Sequence, residues 1–209
     1  MVNIAVLVSG GGTNLQAILD AQARGEIKNG RVRAVISSNE NAYALERARQ
    51  AGVPGYVMNK RDYPSGAEYC AALARFLHGK DVDLVVLAGF MTVLDENFCK
   101  AYENRIINVH PSLIPSFCGD GYYGLHVHEA ALRKGVKVTG ATVHFVNAIT
   151  DGGPIIAQKA VDVLPGDTPE MLQKRVMAQA EHVLLPRVVS LFCEGRLSVS
   201  DDNIVTISE

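Results

Sequence analysis

An α/β fold, with a mostly parallel sheet covered by helices on both faces, is what this sequence predicts, and three observations predict it. Short apolar runs rich in β-branched residues alternate with segments whose apolar residues recur at helical spacing. That alternation continues through the first half of the chain, as in successive βαβ units. The run at residues 83–88 is apolar on both sides of the strand period, as a strand buried on both faces must be.

The elements follow in order. Asn3-Ile-Ala-Val-Leu-Val8 reads as a first strand, turning at Ser9-Gly-Gly-Gly12 into a helix that carries Leu15, Ile18 and Leu19 on one face. Residues 32–37 form a second strand, and an alanine-rich helix over residues 42–51 stops at Gly52 and Pro54. Tyr69, Ala72, Leu73, Phe76 and Leu77 define the face of a third helix, ended by Gly79, before the buried strand at 83–88. A strand at 105–109 leads into residues 111–124, which hold two prolines and three glycines with little apolar periodicity, and so read as a long loop. Strands at 136–146 and 155–161 bracket a turn at Asp151-Gly-Gly-Pro154. Thr168 then caps a helix running to about Cys193, which Pro186 is expected to bend or break. No internal repeat or linker interrupts the series, so residues 1–209 are expected as a single Rossmann-like domain, with ligands beyond the carboxyl ends of its strands.

Composition narrows the function. Apolar residues make up 48% and charged residues 20%, an ordinary globular mixture, and the net charge of −2 offers no field for a nucleic acid backbone. Small molecules are the expected partners, with no nucleic acid and no membrane, and a monomer or homodimer is expected. The longest apolar stretch, residues 82–91, is interrupted by Asp83 and falls short of a bilayer span. Cys70, Cys99, Cys118 and Cys193 form no C-x-x-C pair and follow no signal-peptide pattern, so reduced thiols and a cytoplasmic location are expected.

Three motifs carry chemistry. Ser9-Gly10-Gly11-Gly12-Thr13-Asn14 joins a strand to a helix, where small residues let backbone N–H groups approach an anion and the helix N-terminus favours negative charge. It lacks the third glycine of a dinucleotide fingerprint and the lysine of a Walker loop. Its plain reading is a tight turn in which Thr13 or Asn14 caps the helix. Asn108-Val109-His110 ends a strand, and the two-residue period puts an amide donor and an imidazole on one face. That pair suits attack on a carbonyl, with the amide aimed at a developing oxyanion and the imidazole moving a proton. Asp151 opens the Gly-Gly-Pro turn. It either satisfies its own turn or lies beside His110, where a carboxylate raises a histidine pKa by about one to three units. His126, His128 and His144 read as structural or supporting. No H-E-x-x-H or nucleophile elbow is present, so no metal and no acyl-enzyme are expected.

These residues and their flanks make the sequence resemble the phosphoribosylglycinamide formyltransferase family, folate-dependent enzymes of purine synthesis, along nearly the whole chain. The resemblance rests on Ser9-Gly-Gly-Gly-Thr-Asn-Leu15, Leu87-Ala-Gly-Phe-Met91, Asn108-Val-His-Pro-Ser-Leu-Ile-Pro115, Val143-His-Phe-Val146 and Asp151-Gly-Gly-Pro154. It implies the formyltransferase fold and direct transfer of a formyl group from 10-formyltetrahydrofolate, as cosubstrate, to glycinamide ribonucleotide. It implies Asn108, His110 and Asp151 as catalytic residues, with Asp151 keeping His110 charged. Gly12, Thr13, Asn14 and Glu181 would hold the ribonucleotide. Met91, Thr92, Val93, Leu94, Asn108, Asn147, Ala148, Ile149, Thr150 and Asp151 would line the folate site. The bond between Ile114 and Pro115 is expected to be cis.

The chain also departs from the family pattern. Thr92 and Gly66 stand where arginines are common, Ala178 stands where a glutamine is expected, and residues 116–123 are longer than usual. Lys60 or Arg61 is then the expected cation for the folate glutamate tail. The rival readings are a formyltetrahydrofolate hydrolase, a methionyl-tRNA formyltransferase and a noncatalytic nucleotide-binding module. Length counts against the first two, the glycine loop further against the hydrolase and near-neutral charge further against the tRNA enzyme, and the Asn108, His110, Asp151 set counts against the third.

Overall fold

A computed structural model describes residues 1–208. Its main sheet has seven strands in the order β3-β2-β1-β4-β5-β6-β7. These are β1 (Val2–Val8), β2 (Gly30–Ser37), β3 (Gly55–Val57), β4 (Leu84–Leu87), β5 (Ile106–His110), β6 (Val138–Phe145) and β7 (Ile155–Asp162). β1 to β5 pair in parallel, whereas β6 is antiparallel to both of its neighbours, so the sheet is mostly parallel as expected.

The crossovers are α1 (Thr13–Ala23), α2 (Tyr43–Gln50), α3 (Gly66–His78), α4 (Glu96–Ala101) and α5 (Leu125–Lys134). Burial on both faces makes two apolar layers. Ile4, Val6 and Val8 of β1 pack with Leu15, Ile18 and Leu19 of α1, while Ala5 and Leu7 face Tyr69, Leu73 and Leu77 of α3. This is the two-residue period of a strand meeting the helical period on either side. Strand order reverses between β1 and β4, the point beyond whose strand ends ligands bind in sheets of this kind.

Residues 111–124 contain no helix or strand, and Ile114-Pro115 is cis. The terminal helix begins with Thr168 accepting from the Met171 N–H, as its sequence signalled. Its interruption does not fall at Pro186. The helix runs as α6 (Pro169–Val176), a π turn at Met177–Glu181, and α7 (His182–Cys193), with Pro186 buried inside α7. A π turn inserts one extra residue into the helix and frequently marks a functional site. Here it presents Glu181, buried to 6% exposure.

The helix Pro169–Cys193 is also long and apolar enough by composition to cross a membrane, which corrects the reading that residues 82–91 are the longest such stretch. Its buried residues, among them Leu172, Val176, Leu185 and Val189, belong to the protein core. A final hairpin, β8 (Leu197–Val199) with β9 (Val205–Ile207), was not anticipated. Nor were β3, α4 and the 3-10 turn Lys60–Asp62.

Candidate active site

Asn108 and His110 leave β5 on one face, as alternation requires, and His110 is 4% exposed. β6 runs antiparallel beside them, and its register sets His144 opposite Asn108 and Phe145 opposite Ile107. The turn after β6 therefore starts beside the early part of β5 and has to fold back over the sheet to bring Asp151 to His110. Three features permit that path. Asp151 adopts a left-handed conformation at φ 53°. At Gly153 a Cβ would lie 1.9 Å from the Phe145 carbonyl oxygen, and at Gly152 one would lie 2.6 Å from Ile149, so neither position accepts a side chain without displacement.

The Asp151 carboxylate then sits among three groups. His110 Nδ1 is 3.4 Å from Oδ2, His144 Nε2 is 3.7 Å from Oδ1, and the Gly119 N–H donates to Oδ2 at 2.9 Å. Burial raises the Asp151 pKa, but His144, His110 and the Gly119 N–H together outweigh it and hold the carboxyl below its ordinary value. His144 Nδ1 lies 2.8 Å from the Phe145 carbonyl, which places a proton on Nδ1, and Nε2 lies 3.1 Å from the Asn108 amide nitrogen. His144 is the site residue that sequence reasoning placed in a supporting role. Its signal was the Val143-His-Phe-Val146 motif, whose meaning depends on a register no single strand reveals.

His110 behaves differently from the expectation. Burial is the largest influence on it and lowers its pKa, the Asp151 carboxylate and the Phe117 carbonyl raise it, and His144 lowers it further; the net direction is down. The raised pKa anticipated from a neighbouring carboxylate is corrected by the depth of the site. His110 Nε2 donates to the Phe117 carbonyl at 2.9 Å, so the loop at 111–124 covers the imidazole. Phe117 is itself left-handed at φ 50°. His128 is fully buried with neither ring nitrogen partnered, and burial, with His110 nearby, pushes it down to about 4.

The glycine loop lies at the end of β1. Gly12, at φ 72°, is the N-cap of α1 with no side-chain cap, so neither Thr13 nor Asn14 caps the helix. A Cβ at Gly12 would lie 2.6 Å from that of Ala44, and the loop is fastened to α2 by Ala44 N–H to Gly10 O and Arg47 Nε to Gly11 O. Among the described residues, the N–H groups of Gly10, Gly11, Gly12 and Thr13 donate to no protein atom, which leaves them for an anion. Asn14 instead donates to Glu181 Oε2 at 2.7 Å, with its own Oδ1 buried and unpartnered. Burial raises the Glu181 carboxyl to about 7, partly opposed by Asn14.

Of the segment expected to line a folate site, Met91 and Val93 are exposed at 55% and 71%, but Leu94 is 7% exposed and packs in the core under α3. Asn147, Ala148, Ile149 and Thr150 are all exposed beside Asp151. Lys60 and Arg61 line an open cavity of about 480 Å³ together with Ser38, Ser65, Gly66 and Thr92.

Comparison with known proteins agrees with this geometry. The family described as Formyl transferase matches residues 2–189. The chain is 43% identical over 201 residues to phosphoribosylglycinamide formyltransferase of Escherichia coli strain K12, covering 96% of this chain and 92% of that one. It superposes on glycinamide ribonucleotide transformylase 1 from Symbiobacterium toebii with a TM-score of 0.93 at 50% identity, covering 100% of this chain and 95% of the other. A formyltetrahydrofolate deformylase from Pseudomonas syringae superposes with a TM-score of 0.86 at 27% identity, and this chain spans 66% of it.

Proposed function

We infer from the formyl transferase family, to which this chain belongs, that its site moves a formyl group from 10-formyltetrahydrofolate to the amine of glycinamide ribonucleotide, a step of purine biosynthesis. The observation that carries this reading is the convergence of Asn108, His110 and Asp151 from separate parts of the chain. Near-full-length relatives with the same named activity support it.

In this reading the free N–H groups of Gly12 and Thr13 take the ribonucleotide phosphate, and Asn14 with Glu181 contacts the rest of that substrate. Met91, Thr92 and Val93 face the folate from one side and residues 147–150 from the other, with Leu94 acting only through the core. The amine nitrogen bonds to the formyl carbon and charge grows on the formyl oxygen, which the Asn108 amide stabilises. His110 takes the proton the amine sheds and delivers it to the folate nitrogen as the carbon–nitrogen bond to that nitrogen breaks. Asp151 stabilises the imidazolium as it forms. A lowered histidine pKa suits this sequence, because the resting imidazole is then neutral and ready to accept. Before Nε2 can accept from the amine, the Phe117 carbonyl must leave it and the ring proton must move to Nδ1, where Asp151 faces it.

The test is tetrahydrofolate release, followed by absorbance with and without glycinamide ribonucleotide. Release that requires the ribonucleotide supports the transferase. Release without it supports a hydrolase, and no release in either case supports a noncatalytic binding module.

A further inference from the structure

Ser9 follows β1 at the point where strand order reverses, and its hydroxyl contacts the loops after both neighbouring strands. Ser9 Oγ accepts from the Met91 N–H at 2.9 Å, on the loop leaving β4, and lies 2.7 Å from Ser38 Oγ, on the loop leaving β2. A hydroxyl has one hydrogen and two lone pairs, so it can hold both partners at once. Among the described residues, the bond to Ser9 is the one hydrogen bond made by residues 89–94. The next ties on either side are Ala88 N–H to Leu7 O and Asp95 N–H to Cys70 Sγ. Two exposed apolar side chains, Met91 and Val93, therefore hang on a segment fastened at its middle by a single side chain.

The same residue begins the glycine loop. Ser9 is followed directly by Gly10, Gly11 and Gly12, whose N–H groups donate to no protein atom among the described residues and whose Gly10 and Gly11 carbonyls are pinned to α2. Any ligand that orders the glycine loop thus orders the Ser9 hydroxyl, and through it the Met91 backbone. We propose that Ser9 is a positioning residue that couples the two substrate sites, so that occupation of the glycine loop by the ribonucleotide strengthens binding of the folate at residues 91–93, and the reverse. By linkage the factor is the same in both directions.

This inference rests on the assignment of the two substrates above, and its test separates the two claims. Glycinamide ribonucleotide and tetrahydrofolate, which has no formyl group to transfer, are titrated calorimetrically, each alone and each with the other saturating. The wild-type protein is expected to show a mutual gain of about 5-fold or more, the lower end of ordinary site-to-site coupling. Ser9→Ala is expected to bring that factor towards 1, and Ser9→Thr, which keeps the hydroxyl, to restore it. A wild-type factor of 1, or a Ser9→Ala protein that keeps the full factor, overturns the proposal while leaving the substrate assignment intact. Failure of the ribonucleotide to bind at all overturns the assignment itself. A second readout needs no variant: exchange of the Met91 amide should slow when the ribonucleotide alone is added, and an unchanged rate refutes the coupling.

Discussion

Replacing Asp151 with Asn removes the charge beside His110 while keeping the size of the side chain. At 3.4 Å, two unit charges in a medium of effective dielectric near 20 attract by about 5 kcal/mol. His144 and the Gly119 N–H also draw on the carboxylate, so the part felt by His110 is smaller. The ordinary range for such a neighbour is about one to three pKa units, at about 1.4 kcal/mol each. The sign follows from the causes acting on His110. Burial already lowers its pKa and Asp151 opposes that, so Asp151→Asn lowers it further. The midpoint of the His110 ring resonances, followed by NMR against pH, should move to acid by about one to three units. Because the carboxylate stabilises the imidazolium as it forms, kcat should fall about 10- to 1000-fold. His144 and His128 interact electrostatically with His110, so their ring resonances must be assigned separately. An unmoved His110 midpoint in a folded Asp151→Asn protein refutes the coupling between these two residues.

Glu181 makes a prediction about stability. Its folded pKa of about 7 lies above the ordinary carboxyl value, so the folded state favours the protonated form, and stability is lost as pH rises from about 4.5 through 7. Thermal melts of Glu181→Gln should lack that loss, and its stability relative to wild type should rise by about 2–3 kcal/mol between pH 5 and 8; a constant difference contradicts the burial argument. Gly12→Ala strains a left-handed residue and drives a Cβ against Ala44, so we expect a loss of about 1–3 kcal/mol in denaturant unfolding and a raised KM for the ribonucleotide. An unaltered ribonucleotide KM would remove the loop from that site. Lys60→Ala should raise KM for a folate bearing several glutamates about 5-fold or more with kcat unchanged, and an equal KM would show that the cavity at Lys60 and Arg61 does not take the tail.

Much of the sheet was legible because each strand and helix carries its own period. β1, β2, β4 and β5 were read within a residue or two, and so was the Thr168 cap. β3 and β8 escaped because three-residue strands hold too few positions to show a period, and α4 because six residues span less than two helical turns. The site was legible where chemistry is local. Asn108 and His110 share a face by alternation alone, and the glycines of the 151–154 turn announce a tight path. What stayed hidden depends on neighbours from other parts of the chain. The register that places His144 against Asn108, the loop that covers His110, and the burial that lowers its pKa are all tertiary. Pro186 misled for the same reason. A proline rule operates within one helix, but the π turn sits where Glu181 is turned inward to Asn14, 167 residues away in sequence.

The most direct measurement is the single-turnover rate of formyl transfer by His110→Ala with both substrates saturating. We predict a loss of about 100-fold or more, with an unchanged circular dichroism spectrum and an unchanged affinity for the ribonucleotide. A folded variant that transfers within a few-fold of the wild-type rate would take the proton-carrying role away from His110.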